Sequence, residues 1–331
     1  MRKALVAISA AFVLAALALG RTDAAQRPLP AKLPSWLAGA AQEQLKNFDW
    51  SGRRPGASTH HSFPGPRRMR HDSLINLGIN TLAVVDGDED GVETFDTHGN
   101  FKNFISNRLA CPTGDWYDAK GDLYVGDYCH RYVVEYNPGQ VNAAWVYSAG
   151  LDDPINITTD SKGNVYVAGY LDGTVTEYAH RSNTVLHQCS PALGVEGITV
   201  DGQGNVYVLG NATIAGPGVL LKYTGGLGGC SSSFIGLVAD FAGQMLFDKT
   251  GNLVVADQEN GTDVLPPPFT SLLRVDFGFS SPFHIALNKQ NNLLFSSENV
   301  YGDALVVTYV TDNLYADLYY PPYYAYGIAT Y

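Results

Sequence analysis

Hydrophobic and polar residues alternate in short runs along most of the chain, and turns rich in Asp, Gly and Asn separate the runs. Such alternation predicts β-strands, because successive side chains of a strand point to opposite faces. One phrase recurs, in which an Asp is followed three residues later by Gly, then by Asn or Asp, and then by a β-branched and aromatic run. It stands at 117–125, 159–167, 200–208 and 247–255, with a weaker copy at 287–295 and a degenerate one at 80–84.

The phrase repeats about every forty residues. The spacings between its turn positions are 41, 42, 41, 47 and 40 residues, measured at Asn80, Gly121, Gly163, Gly204, Gly251 and Asn291. The turn joins two strands in each unit. Third strands are predicted at 92–95, 132–136, 175–178, 219–223, 272–275 and 305–309, and weaker fourth strands at 144–147 and 184–186.

Four antiparallel strands per unit predict one propeller blade, and a blade buries both faces only when neighbouring blades pack against it. The sequence therefore predicts an all-β, six-bladed β-propeller over residues 74–331. Its first unit lacks an opening strand, whereas the chain ends on a run, 326–331, that matches the opening strands of later units. We expect the C-terminal strand to close the first blade and so to remove an open sheet edge.

Gly197-Ile198-Thr199-Val200-Asp201, followed by Gly204-Asn205-Val206-Tyr207-Val208, resembles the repeat of NHL-repeat six-bladed propellers. The resemblance covers about 74–331 and extends more distantly to the SMP-30/gluconolactonase-like group. It implies a rigid propeller. Because these propellers include enzymes, sugar or peptide binders and protein-interaction platforms, it does not assign an activity.

The N-terminus has the pattern of a signal peptide over residues 1–25. Arg2 and Lys3 precede an apolar run at 4–19, and small residues follow at Gly20, Ala24 and Ala25. This pattern predicts an extracytoplasmic protein, periplasmic or secreted, without an integral membrane span after cleavage. The alternative is an uncleaved anchor, for which the run is slightly short of the roughly 20 residues that a spanning helix needs.

Charge is divided unevenly between a leader and the propeller. Residues 26–71 hold eight Lys or Arg and two acids (8 − 2 = +6), whereas residues 72–331 hold ten and twenty-nine (10 − 29 = −19). The Pro- and Gly-rich segment 26–73 is interpreted as a basic linker, either solvated or docked on the acidic body or on anionic envelope material. The acidic balance argues against a nucleic-acid partner.

Polar and aromatic residues are predicted to meet at one mouth of the central channel, where first strands begin and second strands end. The predicted ligand-binding residues there are Asp127, Asn156, Glu196, Gln244, Asp257, His284 and Tyr326. The alternative is that they only satisfy strand ends and channel waters.

Three functions fit this mouth. The first is a monomeric, non-catalytic module that binds a protein, a glycan or a small polar ligand there. The second is a metal-dependent lactonase or hydrolase, with Asn156 and Glu196 among the ligands. That interpretation is weakened because the family's ligand pattern is not matched and no second inner-strand acid is found. The third is a structural envelope scaffold.

A calcium site is a further candidate. Asp86, Asp88 and Asp90 occupy the first, third and fifth positions of an acidic run whose sixth residue is Gly91. Calcium prefers several oxygen ligands on a sharply turned loop. The run also lies between two predicted strands, where an acidic hairpin turn explains it equally.

Four cysteines fit an extracytoplasmic chain. Cys111 and Cys129 lie nine residues on either side of Lys120, at the centre of a predicted hairpin, and antiparallel pairing would place them opposite each other. Cys189 and Cys230 follow third strands of consecutive units and can pair only if their loops reach. We therefore expect the first disulfide on geometric grounds and the second only if these loops meet.

Overall fold

The computed structural model describes residues 78–86, 90–170, 172–191, 193–212, 217–259, 261–276, 282–298, 304–308, 314–318 and 325–331. The predicted signal peptide and basic leader lie outside these residues, as does Asp88. Within the described part of the chain, no helix is long and apolar enough to cross a membrane. The regular structure there consists of β-strands and one short 3-10 turn, Gly228–Cys230.

The strands follow one another in the short, regular pattern that the repeat predicts. In chain order they are β1 (Leu82–Asp86), β2 (Gly91–Phe95), β3 (Phe101–Ile105), β4 (Pro112–Tyr117), β5 (Leu123–Asp127), β6 (Tyr132–Tyr136), β7 (Trp145–Tyr147), β8 (Pro154–Thr159), β9 (Val165–Gly169), β10 (Thr174–Tyr178), β11 (Val185–Cys189), β12 (Gly194–Val200), β13 (Val206–Asn211), β14 (Gly218–Tyr223), β15 (Ser232–Ala239), β16 (Ala242–Phe247), β17 (Leu253–Asp257), β18 (Gly261–Leu265), β19 (Arg274–Asp276), β20 (Pro282–Leu287), β21 (Leu293–Glu298), β22 (Ala304–Thr308), β23 (Leu314–Leu318) and β24 (Ala325–Thr330).

These strands pair into six four-stranded antiparallel sheets. Sheet 1 has the order β24-β1-β2-β3, and sheets 2 to 6 are β4 to β7, β8 to β11, β12 to β15, β16 to β19 and β20 to β23. The prediction of an all-β propeller with four-stranded antiparallel blades is confirmed. The C-terminal strand also pairs as predicted, with Leu82 opposite Thr330 and Val84 opposite Ile328.

The innermost strands contact one another in a closed cycle. β24 touches β4, each inner strand touches the next through β8, β12, β16 and β20, and β20 returns to β24. The apolar core lies between consecutive sheets: one cluster joins Val133 and Tyr147 of sheet 2 to Ile157 and Val167 of sheet 3. Neighbouring sheets therefore supply the burial that a single blade lacks.

The recurring turn is built by side-chain hydrogen bonds. In sheet 3 the Asp160 Oδ1 atom accepts the backbone N–H groups of Lys162 and Asn164, and Asn164 Nδ2 donates to Asp160 Oδ2 at 2.9 Å. Gly163 occupies the left-handed region at φ +86°. The Asp-x-x-Gly-Asn phrase thus encodes an Asx-type turn, which sets the hairpin register.

One predicted strand is wrong. The third strand of sheet 5 is β18 and not 272–275, because β18 pairs with β17 along its whole length. The segment near 274 instead forms β19, the fourth strand. The third strand begins with Gly and carries Asp263, so its apolar alternation is weak. Three prolines follow Leu265 in the connection from β18 to β19, whereas the 47-residue spacing lies earlier, between Gly204 and Gly251.

Both predicted disulfides are formed. Cys111 and Cys129, with Cα atoms 5.3 Å apart, join the start of β4 to the turn after β5. Cys189 and Cys230, with Cα atoms 5.4 Å apart, link β11 of sheet 3 to the 3-10 turn of sheet 4. The second bridge therefore fastens two neighbouring sheets to each other.

Deletion of Gly327–Tyr331 should destabilise the entire propeller and not one edge of it. The deletion removes most of β24, including the fully buried Ile328, and leaves β1 as an open edge. Burial of an Ile side chain alone contributes about 1.5–3 kcal/mol. Thermal unfolding followed by circular dichroism should lose cooperativity or shift downwards by many degrees. A melting curve equal to that of the full chain would show that sheet 1 does not depend on the C-terminal strand.

Candidate functional site at the channel mouth

All six inner strands have an irregular register close to their first residue. The shifts fall between Pro112 and Asp115, Pro154 and Asn156, Val195 and Gly197, Ala242 and Met245, Pro282 and His284, and at the β24 residues opposite Val85 and Asp86. A β-bulge redirects the side chains around it and is frequent at rims and near functional sites. The channel mouth is thus a ring of bulges.

The seven predicted ligand residues occupy the expected elements. Five lie at the bulged starts of inner strands and two at the ends of second strands: Asn156, Glu196, Gln244, His284 and Tyr326, and Asp127 and Asp257. All except the partly exposed Tyr326 are buried. Tyr326 packs against the apolar cluster between sheets 1 and 2. The hydrogen bonds of each residue decide which of them remain available to a ligand.

Asp127 and Asp257 hold backbone in place. Asp127 accepts the N–H groups of Ala110 and Cys111 with Oδ2 and that of His130 with Oδ1. Asp257 accepts the N–H groups of Asp240, Phe241 and Glu259 in the same manner. Their carboxylates therefore cap the segment that enters the inner strand. This is the structural role that the sequence left open for them.

Asp86 occupies the equivalent position in sheet 1. It lies opposite Ala325, as Asp127 lies opposite Pro112 and Asp257 opposite Ala242. Within the described residues, Asp86 and Asp90 belong to no group of three His, Cys, Asp or Glu side chains with ligand atoms close together. The calcium site stays a prediction, and the repeat gives Asp86 a structural alternative.

His284 crosses the channel. Its Nε2 atom lies 3.1 Å from the carbonyl oxygen of Ile155, on the inner strand three sheets away around the ring. Because a carbonyl only accepts, Nε2 carries the proton in this hydrogen bond. Burial lowers the pKa of His284 to about 4, so the ring is neutral at physiological pH. The imidazole is therefore part of the inner packing of the propeller.

Gln244 has a comparable role. Its Oε1 atom accepts the backbone N–H of Ile285 at 2.7 Å, which joins the inner strands of sheets 5 and 6. Gln244 Oε1 and His284 Nε2 thus bind backbone of other sheets.

Asp115 is a buried acid that the sequence interpretation missed. It lies on β4, so the expectation that no second inner-strand acid exists is wrong. The equivalent residues of the other inner strands are apolar: Ile157, Ile198, Met245, Ile285 and Ile328. A comparison of the repeats at this single position would have found it, because Asp115 alone breaks an apolar column.

The surroundings of Asp115 contain no hydrogen-bond partner for its carboxyl oxygens. Both oxygens are unpartnered, and the residue is 1% exposed. Burial raises the pKa of Asp115 well above its ordinary value. Gly327 makes room for the carboxyl group, since a Cβ there would lie 2.6 Å from Asp115 Oδ1. The ionised form of the Asp115 carboxyl group is therefore unfavourable at this place between sheets 1 and 2.

Glu196 is the centre of a buried polar group at the mouth. Its Oε1 atom lies 3.4 Å from Asn211 Nδ2, whereas Oε2 has no partner. Burial and the neighbouring Asp153 raise its pKa well above the ordinary value. Burial, Glu196 and Asp153 in turn raise the pKa of Tyr170 to about 12. We call Asp153, Tyr170, Glu196 and Asn211 the mouth cluster.

The mouth cluster bridges sheets 3 and 4. Tyr170 follows β9, and its ring lies against Gly194 at the start of β12, where a Cβ would be 3.0 Å from the ring. Asn156, on the adjoining β8, is fully buried and both its side-chain polar atoms lack partners. A buried carboxylate with an unused oxygen is suited to accept a hydrogen bond from a cationic or strongly donating group. Within the described residues, the mouth holds no three-membered group of metal-ligating His, Cys, Asp or Glu.

Comparisons with known proteins found a family match and similar solved structures. A family described as "Beta-propeller repeat" matches residues 147–173. A solved structure described as a nidogen/laminin complex is similar with a TM-score of 0.62 and 13% identity, over 75% of this chain and 97% of that chain. Virginiamycin B lyase from Staphylococcus aureus gives a TM-score of 0.46 and 14% identity, over 60% of this chain and 66% of that chain.

No curated protein matches the chain in sequence. At 13% identity, the likeness to the nidogen/laminin structure concerns the fold alone. Together with the repeat match over residues 147–173, it supports a β-propeller and leaves the activity to be argued from the site.

Gly114 should not tolerate a side chain, because its Cβ would lie 2.2 Å from the Ile155 carbonyl oxygen and 2.8 Å from His284 Nε2. We expect Gly114→Ala to lower the free energy of unfolding by about 1–3 kcal/mol through overpacking. Gly202→Ala is the matched control, since nothing lies within 4 Å of its Cβ position. Urea unfolding of both variants tests this. Equal stabilities would mean that the inner strands separate at no cost.

Asp115→Asn should change how stability depends on pH. The raised pKa means that the stability contribution of the protonated carboxyl is present below the ordinary value of 3.8 and is lost as the pH rises towards the folded-state pKa. Wild type should therefore lose up to about 1.4 kcal/mol per pH unit relative to the variant across that window. Unfolding by urea at pH 3 to 8 measures the difference. The half-exposed Asp152, as Asp152→Asn, should give a curve parallel to wild type. If the difference in unfolding free energy between wild type and Asp115→Asn does not vary with pH, the pKa of Asp115 is not raised in the folded protein.

Proposed function

We propose that the chain is an extracytoplasmic, NHL-like six-bladed β-propeller that acts as a non-catalytic binding module for a protein partner. The partner would contact the channel-mouth face and place a basic side chain beside Glu196. The observation that carries this proposal is the unpartnered Oε2 atom of Glu196, a buried carboxylate at a bulge in the mouth ring.

The six-blade count in this proposal is supported by strand pairing and packing. Six four-stranded sheets are present among the described residues, and their inner strands contact one another in a cycle that returns to its start. A closed ring of this kind is rigid. It therefore presents its mouth to a partner with little ordering cost.

Charge favours a basic partner. Residues 72–331 carry ten basic and twenty-nine acidic residues, and two of these acids, Asp153 and Glu196, are neighbours in the mouth cluster. An acidic surface attracts a positively charged partner and accelerates the encounter. A Lys or Arg group that reaches Glu196 would also remove the cost of its burial. Tyr170 adds an aromatic wall of the type that is enriched at protein interfaces.

The structural likeness is compatible with a protein partner. The similar solved structure is a complex of nidogen and laminin, so this fold is known in a protein assembly. We transfer no partner identity from it. The two disulfides support the extracytoplasmic part of the proposal, since such bonds persist in oxidising compartments. Signal cleavage after residue 25, a separate leader over 26–73 and a monomeric state remain part of the proposal.

The lactonase and the small-ligand interpretations receive less support. The lactonase interpretation needs Asn156, Glu196, Gln244 and His284 on one metal ion, yet Gln244 and His284 bind backbone of other sheets. Among the described residues no observation favours a small-molecule reaction at the mouth. A glycan or small polar ligand would use the same hydrogen-bonding groups and is an outcome of the test below.

Binding should be measured with an array of basic, acidic and neutral 15-residue peptides, followed by calorimetry on the best peptide and on cello-oligosaccharides. We expect a basic peptide to bind more tightly at 50 mM than at 300 mM NaCl. Glu196→Gln should weaken binding about tenfold, which corresponds to about 1.4 kcal/mol.

Asp152→Asn is the control for this experiment. It removes one formal charge from a half-exposed carboxylate next to Asp153 and should change the affinity less than about threefold through the long-range field alone. If Glu196→Gln and Asp152→Asn weaken peptide binding equally, the peptide is attracted by the overall negative charge and does not contact Glu196 specifically. Binding of the oligosaccharide without binding of any basic peptide would replace the protein partner with a glycan.

A further inference from the structure

The turn of sheet 2 departs from the repeat at one residue. In sheets 3, 4 and 5 an Asn donates its amide to the turn aspartate, at 2.9 Å from Asn164, 2.7 Å from Asn205 and 3.0 Å from Asn252. Sheet 2 has Asp122 at this place, opposite Asp118. A hydrogen-bond donor has thus been replaced with a second carboxylate, and both acids are buried.

The next strand also breaks the pattern. In sheet 3 the hydroxyl of Tyr166 donates towards Glu177 Oε1 at 3.1 Å and lies 3.3 Å from Asp160 Oδ2. The corresponding residues of sheet 2 are Tyr124 and Glu135, which are paired across the strands in the same register. Tyr124 is fully buried, and its hydroxyl has no partner. Burial raises its pKa most, and the nearby Glu135, Tyr147, Asp118 and Asp122 raise it further.

Glu135 is turned towards sheet 3. Its Oε2 atom accepts the Tyr147 hydroxyl at 2.7 Å, and its Oε1 atom lies 2.8 Å from Arg181 Nε and 3.3 Å from His180 Nε2. His180 and Arg181 belong to the turn between β10 and β11. The polar group therefore spans two neighbouring sheets, at the end opposite the channel mouth.

The charges in this group do not balance. Asp118, Asp122 and Glu135 carry three negative charges when ionised. Arg181 supplies one positive charge, so the group has an excess of two negative charges when His180 is neutral, the form in which it binds a metal ion. Burial and the charges of Asp118 and Glu135 raise the pKa of Asp122, which reflects the same excess. One ligand atom each from Asp122, Glu135 and His180 lies within 4.8 Å of the other two. The excess of two negative charges equals the charge of a divalent cation.

We propose that Asp122, Glu135 and His180 form a binding site for a divalent transition-metal ion of the zinc class, which fastens sheet 2 to sheet 3. One imidazole and two carboxylates suit Zn²⁺, which binds such atoms at about 2.0–2.2 Å. Ligand atoms around a tetrahedral ion are then roughly 3.4 Å apart, so the three side chains need only a small inward movement.

The surroundings support such an ion. The Tyr124 hydroxyl, which burial keeps protonated, is placed to donate to a ligand carboxylate or to an ion-bound water, as groups around metal ligands commonly do. The His180 side chain is 28% exposed and gives a route from solvent. Arg181 Nε lies 2.8 Å from Glu135 Oε1 and would stay beside that carboxylate when the ion is bound.

The site is tested with the purified protein, stripped with EDTA and then titrated with Zn²⁺, by metal analysis and thermal shift. His60, His61 and His71 of the leader are first replaced with Ala, so that they do not bind zinc in competition. We expect one Zn²⁺ per chain and a melting temperature several degrees higher than that of the stripped protein. Both effects should disappear in Asp122→Asn and in His180→Ala.

Matched controls separate loss of metal from loss of fold. His187→Ala changes an exposed histidine of β11, and Asp152→Asn changes a half-exposed acid; both should keep the zinc-induced shift. Without zinc, Asp122→Asn restores the repeat residue and should melt at or above the temperature of the stripped parent. The proposal is overturned if no zinc binds, or if Asp122→Asn and His180→Ala bind it as the parent does. The mouth cluster is not involved, so neither result bears on the proposed function.

Discussion

Contact between neighbouring sheets is the constraint on which the structure depends. A four-stranded sheet of five-residue strands has two faces, and each core cluster seen among the described residues draws on two consecutive sheets. At the centre the inner strands approach so closely that glycines face backbone carbonyls. A Cβ at Gly197 would lie 2.6 Å from the Gly243 oxygen, and one at Gly243 would lie 2.8 Å from the Phe283 oxygen. No sheet can be removed or displaced without exposing the faces of two others.

This packing assigns most polar residues of the channel to structure. Asp127 and Asp257 cap backbone N–H groups, Gln244 joins two inner strands, and His284 bonds to the opposite side of the ring. Each of these groups satisfies a buried donor or acceptor that water cannot reach. A polar residue at a channel mouth is therefore weak evidence for a ligand until its own hydrogen bonds are known.

Departures from the repeat are more informative than the repeat. Asp115 replaces an apolar residue, Asp122 replaces an amide donor, and Glu196 occupies a bulge with one oxygen unused. Each adds an acid to a buried place where the equivalent sheets have none, and each has a raised pKa caused mainly by burial. Because buried charge is costly, such positions persist most readily where a ligand, an ion or a proton offsets the cost. A comparison of equivalent positions in the six repeats thus identifies the residues that depart from the common pattern.

The sequence by itself determined the hairpin turns, the forty-residue unit, the four-stranded blades and the closing role of the C-terminal strand. These follow from local rules: the Asx turn fixes a register, and alternation fixes which face of a strand is buried. Alternation did not predict the third strand at Gly261–Leu265, because a glycine and an acid interrupt its apolar pattern. The strand is recognised only from its pairing with β17. Only the tertiary structure decided which mouth residues are occupied by hydrogen bonds, and that His180 of one sheet meets Asp122 and Glu135 of the next. Those contacts join residues from different repeats, and their distances depend on how the sheets pack around the ring, which no local pattern in the chain encodes.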